Sequence, residues 1–178
     1  ADLLRRHPVP ARALVVCGKG NNGGDGLVMA RLLQAEGWRC DVVFVLGSEL
    51  SPLAETNRRR LLHLTGIGFI GAQALPAQLA QQRYEVIIEG IFGTGFTGRL
   101  PAAVADCCRL LNASDGLKVA LDMPTGLNGD TGDVDADVFR AELTYTFGAY
   151  KPAHLMDAGR AVCGEIVCLA IGIQSLQT

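Results

Sequence analysis

No apolar stretch in this sequence approaches the roughly 18–20 residues that cross a bilayer as a helix, which excludes an α-helical membrane protein. There is no basic excess either. Lys and Arg number 16 against 18 Asp and Glu, a formal charge of −2, and a general nucleic-acid binder would show a basic surplus or stripe. Histidine is scarce, at three residues, and no Ser-His-Asp arrangement, Cys-His arrangement or zinc-ligand spacing is legible. The six cysteines lack any C-x-x-C pair, and no secretory leader pattern is present. Cys17, Cys40, Cys107, Cys108, Cys163 and Cys168 fall mostly in apolar segments, so they read as reduced, buried thiols acting as small hydrophobes. That reading places the chain in the cytoplasm, or in an organelle matrix. The chain opens at Ala1 rather than Met, as expected if residues upstream were removed.

What remains is a globular chain. Its 178 residues suit one domain, and with 49% hydrophobic and 19% charged residues it is too apolar for disorder. Apolar runs alternate with helical patterns. Strands are expected at Ala13–Cys17, Asp41–Leu46, Ile67–Ile70, Glu85–Ile88 with Glu89, Leu117–Leu121, Leu143–Phe147 and Glu165–Ile171. Helices are expected near Gly24–Ala35, from the Ser51-Pro52 cap to about Leu64, over Leu75–Gln82, and over Pro101–Leu111 with Pro101 at the first helical position. No helix is expected beyond the fifth strand. This alternation predicts an α/β, Rossmann-like three-layer sandwich around a mostly parallel central sheet. The Arg58, Arg59 and Arg60 run reads as a solvated helix face.

The 22 glycines show no G-x-y period, so collagen is excluded. Thirteen of them crowd into four stretches at expected strand ends: Gly18–Gly26, Glu89–Arg99, Asp122–Gly132 and Phe147–Pro152. Ligands of open parallel sheets bind outside the carboxyl ends of strands, so these stretches map a candidate crevice. The first contains a formal G-x-G-x-x-G, yet the acid that should end strand two is not clearly placed, and Asn21-Asn22 departs from the dinucleotide pattern. A backbone N–H cradle for an anion at a helix N-terminus fits better; a tight turn needing φ > 0 is the plainer alternative. Gly93-Thr94-Gly95 forms a second cradle, with Arg99 near enough in sequence to add charge.

Glu89 and Asp122 end neighbouring strands and would face the same crevice, either as strand-end caps or as chemistry. Two acids beside anion-binding loops call for proton work or an intervening cation. Asp130, Asp133, Asp135 and Asp137 read as loop acids, since the Gly and Glu of a calcium loop are missing. Lys151 either reaches the crevice or sits at the surface. His154 is an acid/base by type and a structural residue by base rate.

These motifs resemble a family. Gly20-Asn21-Asn22-Gly23-Gly24-Asp25-Gly26, Phe92-Gly93-Thr94-Gly95, Asp122-Met123-Pro124-Thr125-Gly126-Leu127-Asn128 and Lys151-Pro152 resemble the NAD(P)H-hydrate epimerases, the YjeF N-terminal domain, in order and spacing over nearly the whole chain. The resemblance implies one domain over residues 1–178 that interconverts the R and S forms of hydrated NADH or NADPH. It would work beside an ADP- or ATP-dependent dehydratase, separate or fused. It implies that Asn21, Asn22, Gly23, Gly24 and Asp25 bind the dinucleotide, as do Gly93, Thr94, Gly95, Phe96, Thr97, Gly98, Arg99 and Asp122. It further implies one potassium ion per subunit on Asn22, Glu89 and Thr125, and a homodimer.

The chain departs from the family in three places. Glu89 stands where the family usually has Asp, which displaces the carboxylate by roughly 1.5 Å, one C–C bond. Thr125 replaces a usual Ser and keeps the hydroxyl. The family's helical segment ahead of the first strand, which helps cover the site and form the dimer, is mostly missing from the residues before Ala13. For catalysis the reading takes Asp122 as the proton-handling group and Lys151 as its second. A non-catalytic nucleotide-binding or protein-interaction module on the same fold is the alternative, and a Rossmann dehydrogenase is disfavoured by the missing strand-two acid.

Overall fold

The computed structural model describes residues 1–170. Seven strands form one sheet: β1 (Arg12–Cys17), β2 (Arg39–Phe44), β3 (Ile67–Ile70), β4 (Val86–Gly90), β5 (Leu117–Leu121), β6 (Leu143–Phe147) and β7 (Glu165–Leu169). Their order is β3-β2-β1-β4-β5-β6-β7, and every neighbouring pair is parallel. The mostly parallel sheet expected from the sequence is therefore wholly parallel among the described residues. Ile171, expected to extend the last strand, lies outside them.

The helices are α1 (Asp2–Arg6), α2 (Asn21–Ala35), α3 (Pro52–Leu61), α4 (Leu75–Gln81), α5 (Ala102–Asn112), α6 (Pro152–Leu155) and α7 (Asp157–Cys163). In α5 the buried residues Val104, Cys107, Cys108 and Leu111 recur every three or four positions, which gives the helix one apolar face. Alternate β1 residues feed opposite layers. Ala13, Val15 and Cys17 pack with Leu27, Ala30 and Leu33 of α2, whereas Leu14 and Val16 pack with Val104, Cys108 and Leu111 of α5. Both faces of the sheet are thus covered, as a parallel sheet requires.

Several boundaries moved, for local reasons. Helix α2 begins at Asn21, three residues before Gly24, because the glycines permit helical backbone against the sheet. Pro101 is the N-cap of α5 rather than its first residue. Strand β2 begins at Arg39 and ends at Phe44, so Asp41 lies inside it; there it accepts from Arg12 Nη1 and Tyr84 Oη, both at 2.8 Å. The expectation that helices end after β5 was wrong. Helices α6 and α7 follow β6 and bury Ala153, Val162 and Cys163 against Met123, Leu127 and Val138 of the β5–β6 connection. Helix α1 was not expected. Its Asp2 accepts from Tyr145 Oη at 2.8 Å, and Arg6 grips Glu165 at 2.9 and 2.5 Å, which pins the N-terminal turn to β6 and β7.

Five cysteines are buried and Cys168 is half-buried, all of them free. Burial pushes the Cys107 thiol up to about 12, so it behaves as an inert hydrophobe. Arg58 and Arg59 turn back onto Glu55 of their own helix, as a solvated face would. Among the described residues no helix is long and apolar enough to cross a membrane.

Candidate functional site

The chain leaves β1 in one direction across the sheet and β4 in the other, and a topological switch point opens a crevice at their carboxyl ends. A cavity of about 700 Å³ occupies it. Its walls are the β1–α2 turn (Lys19, Gly20, Asn21, Asn22, Asp25), the loop after β4 (Ile91 to Phe96), Leu46, Asp122 and Phe147. Phe92 and Phe96 stack with ring centroids 5.8 Å apart and planes at 17°, which gives one wall an aromatic surface.

Glycine makes this approach possible by lacking a side chain, not by adopting positive φ. None of the five glycines in Gly18–Gly26 has positive φ. A Cβ on Gly23 would lie 2.1 Å from Gly18 O, and one on Gly18 would lie 2.1 Å from Ile91 O. The turn-with-positive-φ reading is therefore replaced by close backbone contact between α2, its own turn and the loop after β4. Gly23 and Gly24 are buried beneath the cavity floor rather than lining it.

At the end of β5, Asp122 turns its carboxylate into the cavity. Lys151 Nζ lies 2.5 Å from Oδ1, and the Thr94 N–H donates to Oδ2 at 3.2 Å. Lys151 Nζ also donates to Thr146 Oγ1 at 2.8 Å and to Phe147 O at 3.1 Å. Lys151 is thus no free surface lysine: its ammonium meets the Asp122 carboxylate, although Lys151 does not itself line the cavity. Asp25 faces the same cavity, and burial, then the charge of Asp122, raise its carboxyl above the ordinary value. His154 is buried, with Nδ1 3.1 Å from Lys151 N and Nε2 3.1 Å from Asp122 O. It holds these groups from behind and does not face the cavity.

Behind the β4 loop lies a second polar set. Glu89 is 0% exposed. Its Oε1 accepts from Ile91 N and from Thr125 Oγ1, both at 2.6 Å, and its Oε2 accepts from Thr125 N at 3.1 Å. Burial still outweighs these bonds and pushes the carboxyl up to about 7; no basic side chain among the described residues offsets it. The side-chain Nδ2 and Oδ1 of Asn22 are both buried without a partner among the described residues. An orphaned amide oxygen and a lone buried carboxylate, with the Thr125 hydroxyl between strand ends, are a donor set that fits a monovalent cation. Among the described residues no group of three His, Cys, Asp or Glu is placed to hold a metal ion.

The residues expected at the site thus divide. Asn21, Asn22, Asp25, Gly93, Thr94, Gly95, Phe96 and Asp122 meet at one cavity. Thr97, Gly98 and Arg99 do not line it. Gly98 and Arg99 border a neighbouring cavity of about 440 Å³ with Asn128, Asp133 and Asp135. The basic residue that lines the main cavity is Lys19, for which no role was expected. Its position inside the Gly18–Gly26 loop was the available signal.

A fully parallel β3-β2-β1-β4-β5-β6-β7 sheet among the described residues, with a glycine-walled cavity at its switch point, defines a Rossmann-like α/β domain with a candidate small-molecule site. The chain belongs to the family described as YjeF-related protein N-terminus, which matches residues 2–153. It is 41% identical over 176 residues to the bifunctional NAD(P)H-hydrate repair enzyme Nnr of Pyrobaculum aerophilum, covering 97% of this chain and 35% of that protein. It is 31% identical over 179 residues to the NAD(P)H-hydrate epimerase of Rhodopirellula baltica, covering 97% of this chain and 71% of that protein. The chain therefore spans about a third of the bifunctional relative and most of the epimerase. The crystal structure of yeast ynu0, YNL200c, superposes with a TM-score of 0.75 at 21% identity, covering 95% of this chain and 72% of that one, and shows the shared fold.

Proposed function

We propose that the chain is an NAD(P)H-hydrate epimerase, an isomerase that interconverts the R and S forms of hydrated NADH and NADPH. The observation that carries this reading is the meeting of Asp122, Asp25 and the Asn21-Asn22 helix start at one cavity, with Lys151 Nζ held against the Asp122 carboxylate. The names of the relatives support it. Inversion at the hydroxyl-bearing ring carbon needs a proton delivered as the hydroxyl departs as water, and a proton removed as water returns on the other face. Asp122 is the group that handles this proton. Its two oxygens are oriented by Lys151 Nζ and by the Thr94 N–H, so its position does not depend on the substrate. Asp25, raised by burial, shares the cavity and holds a proton more readily than a free carboxylate.

The Phe92–Phe96 pair offers a flat apolar wall to a ring, and Lys19 with the N–H groups opening α2 offers positive potential to phosphates. Gly93 leaves room for Asp122 to approach; a Cβ there would lie 3.0 Å from Asp122 Oδ2. Asn22, Glu89 and Thr125 would hold one potassium ion, since a single carboxylate among neutral oxygens matches a single positive charge. That ion would keep Glu89 ionised and tie α2 to the β4 loop.

The partner is a dehydratase that restores the reduced dinucleotide, fused or separate, and the working unit is a homodimer. The bifunctional relatives support the first statement. The free, buried cysteines support a reducing compartment, the cytoplasm or an organelle matrix. Chromatographic measurement of R/S exchange in hydrated NADPH, with and without K⁺, tests the proposal. Exchange abolished in Asp122→Ala is expected. No exchange by the native chain, with dinucleotide binding intact, would establish the non-catalytic module instead.

A further inference from the structure

Asp122 adopts a conformation that its backbone resists. It has φ 63°, the only positive φ outside glycine among the described residues. The Met123 N–H donates across it to Leu121 O at 2.8 Å, and the Asp122 N–H donates to Tyr145 O at 2.7 Å. Such a turn persists only where neighbours hold it. It also swings the Asp122 carbonyl toward α6, where His154 takes it up.

The His154 ring is 1% exposed and meets Tyr150 edge-on at 6.1 Å. Its Nδ1 accepts the Lys151 N–H at 3.1 Å, so the ring proton belongs on Nε2, which donates to Asp122 O at 3.1 Å. Burial, then the charge of Lys151, keep the ring below the ordinary histidine value and so neutral in this role. One imidazole therefore joins the main chains of Asp122 and Lys151, whose side chains meet 2.5 Å apart where Asp122 lines the cavity.

We infer that His154 is a positioning residue: it locks the strained Asp122 turn to the Lys151 backbone and so sets the carboxylate and ammonium in register with the substrate. The inference rests on the proposed proton-handling role of Asp122. A helix cap alone would use only Nδ1. The bond from Nε2 to Asp122 is the part that a cap does not need.

Three variants separate the two bonds. His154→Asn places an acceptor near the Nδ1 position and drops the contact with Asp122. His154→Gln reaches Asp122 O with a donor and drops the cap. His154→Leu loses both. R/S exchange of hydrated NADPH is measured for each as kcat and KM, with thermal unfolding alongside. Asn and Leu are expected to lower kcat about 10–100-fold with KM nearly unchanged, and Gln to restore kcat to within about fivefold of the native chain, because misplacement by an ångström carries such losses.

A His154→Asn chain at native kcat, or losses confined to KM, would overturn the inference. If the Leu variant does not fold, the Asn and Gln pair decides. Asp122→Ala at full rate would overturn the catalytic reading and the inference with it. Asp122→Ala inactive beside a fully active His154→Asn would overturn the inference alone.

Discussion

Lys151 Nζ lies 2.5 Å from Asp122 Oδ1, joining the end of β5 to the start of α6 across 29 residues, and both side chains are more than four-fifths buried. Lys151 is anchored by two further acceptors, Thr146 Oγ1 and Phe147 O, so the ammonium is held by β6 rather than by the carboxylate alone. Lys151→Met would leave the Asp122 carboxylate without its cationic donor. Removing one partner of a buried pair is costly even where the pair itself contributes little. The expected outcome is a loss of kcat of at least tenfold, with unfolding stability lowered by about 1–3 kcal/mol. Full exchange by Lys151→Met would remove the ion pair from the mechanism.

The glycines of the β1–α2 turn make unequal predictions about stability. A Cβ on Gly23 would meet the backbone of Gly18 at 2.1 Å, whereas one on Gly20 meets nothing within 4 Å. Backbone cannot rotate aside as a side chain does, so Gly23→Ala should destabilise by about 3 kcal/mol or more, above the usual range for overpacking. Gly20→Ala should cost about 1 kcal/mol or less, the difference between the two residues at an N-cap. Urea unfolding of both variants checks this. Equal stabilities would show that α2 can move away from the Gly18 turn.

Much of this arrangement was legible before the structure. The apolar runs placed all seven strands, because buried parallel strands are near-continuous hydrophobic segments. The glycine-rich strand ends pointed to the cavity, since Gly18 and Gly23 there let backbone approach backbone closely. Helices α6 and α7 escaped notice because α6 is a single turn of four residues and α7 carries Gly159 within it, which blurs a helical pattern. Lys19 escaped because a lysine among glycines resembles any surface lysine, and Arg99 was expected at the cavity because proximity in sequence says nothing about which way a loop turns. The double hydrogen bond of His154 depends on the Asp122 turn, which no local pattern announces.

Glu89 links the proposed cation site to pH. Burial pushes its carboxyl to about 7 from an ordinary 4.5. Between those values the folded chain holds a proton that the unfolded chain has released, so without a cation stability declines as pH rises through this window. A potassium ion held on the proposed site would bind the ionised form and oppose that decline. KCl should therefore raise Tm over choline chloride more at pH 8 than at about pH 5.5, and Glu89→Gln should lose both the K⁺ effect and Glu89's share of the pH slope. A K⁺-specific rise in Tm that survives in Glu89→Gln would move the cation elsewhere.

Lys19 carries the last prediction. The charged residues lining the cavity are Lys19, Asp25 and Asp122, so one cation faces two acids where the proposed dinucleotide would bring a diphosphate. Helix α2 adds the partial positive charge of its N-terminus, and no Asp or Glu lies in its first turn to cancel it. Lys19 is exposed and absent from the ion pairs found among the described residues, so its ammonium is free to meet a phosphate. Lys19→Gln should raise KM for hydrated NADPH about 5–20-fold, at about 1–2 kcal/mol for one charge-assisted contact, and leave kcat within twofold. Comparing the KM change for hydrated NADH with that for hydrated NADPH locates the contact: equal changes point to the diphosphate, and a larger change for NADPH points to its additional phosphate. An unchanged KM for both would remove Lys19 from the binding site.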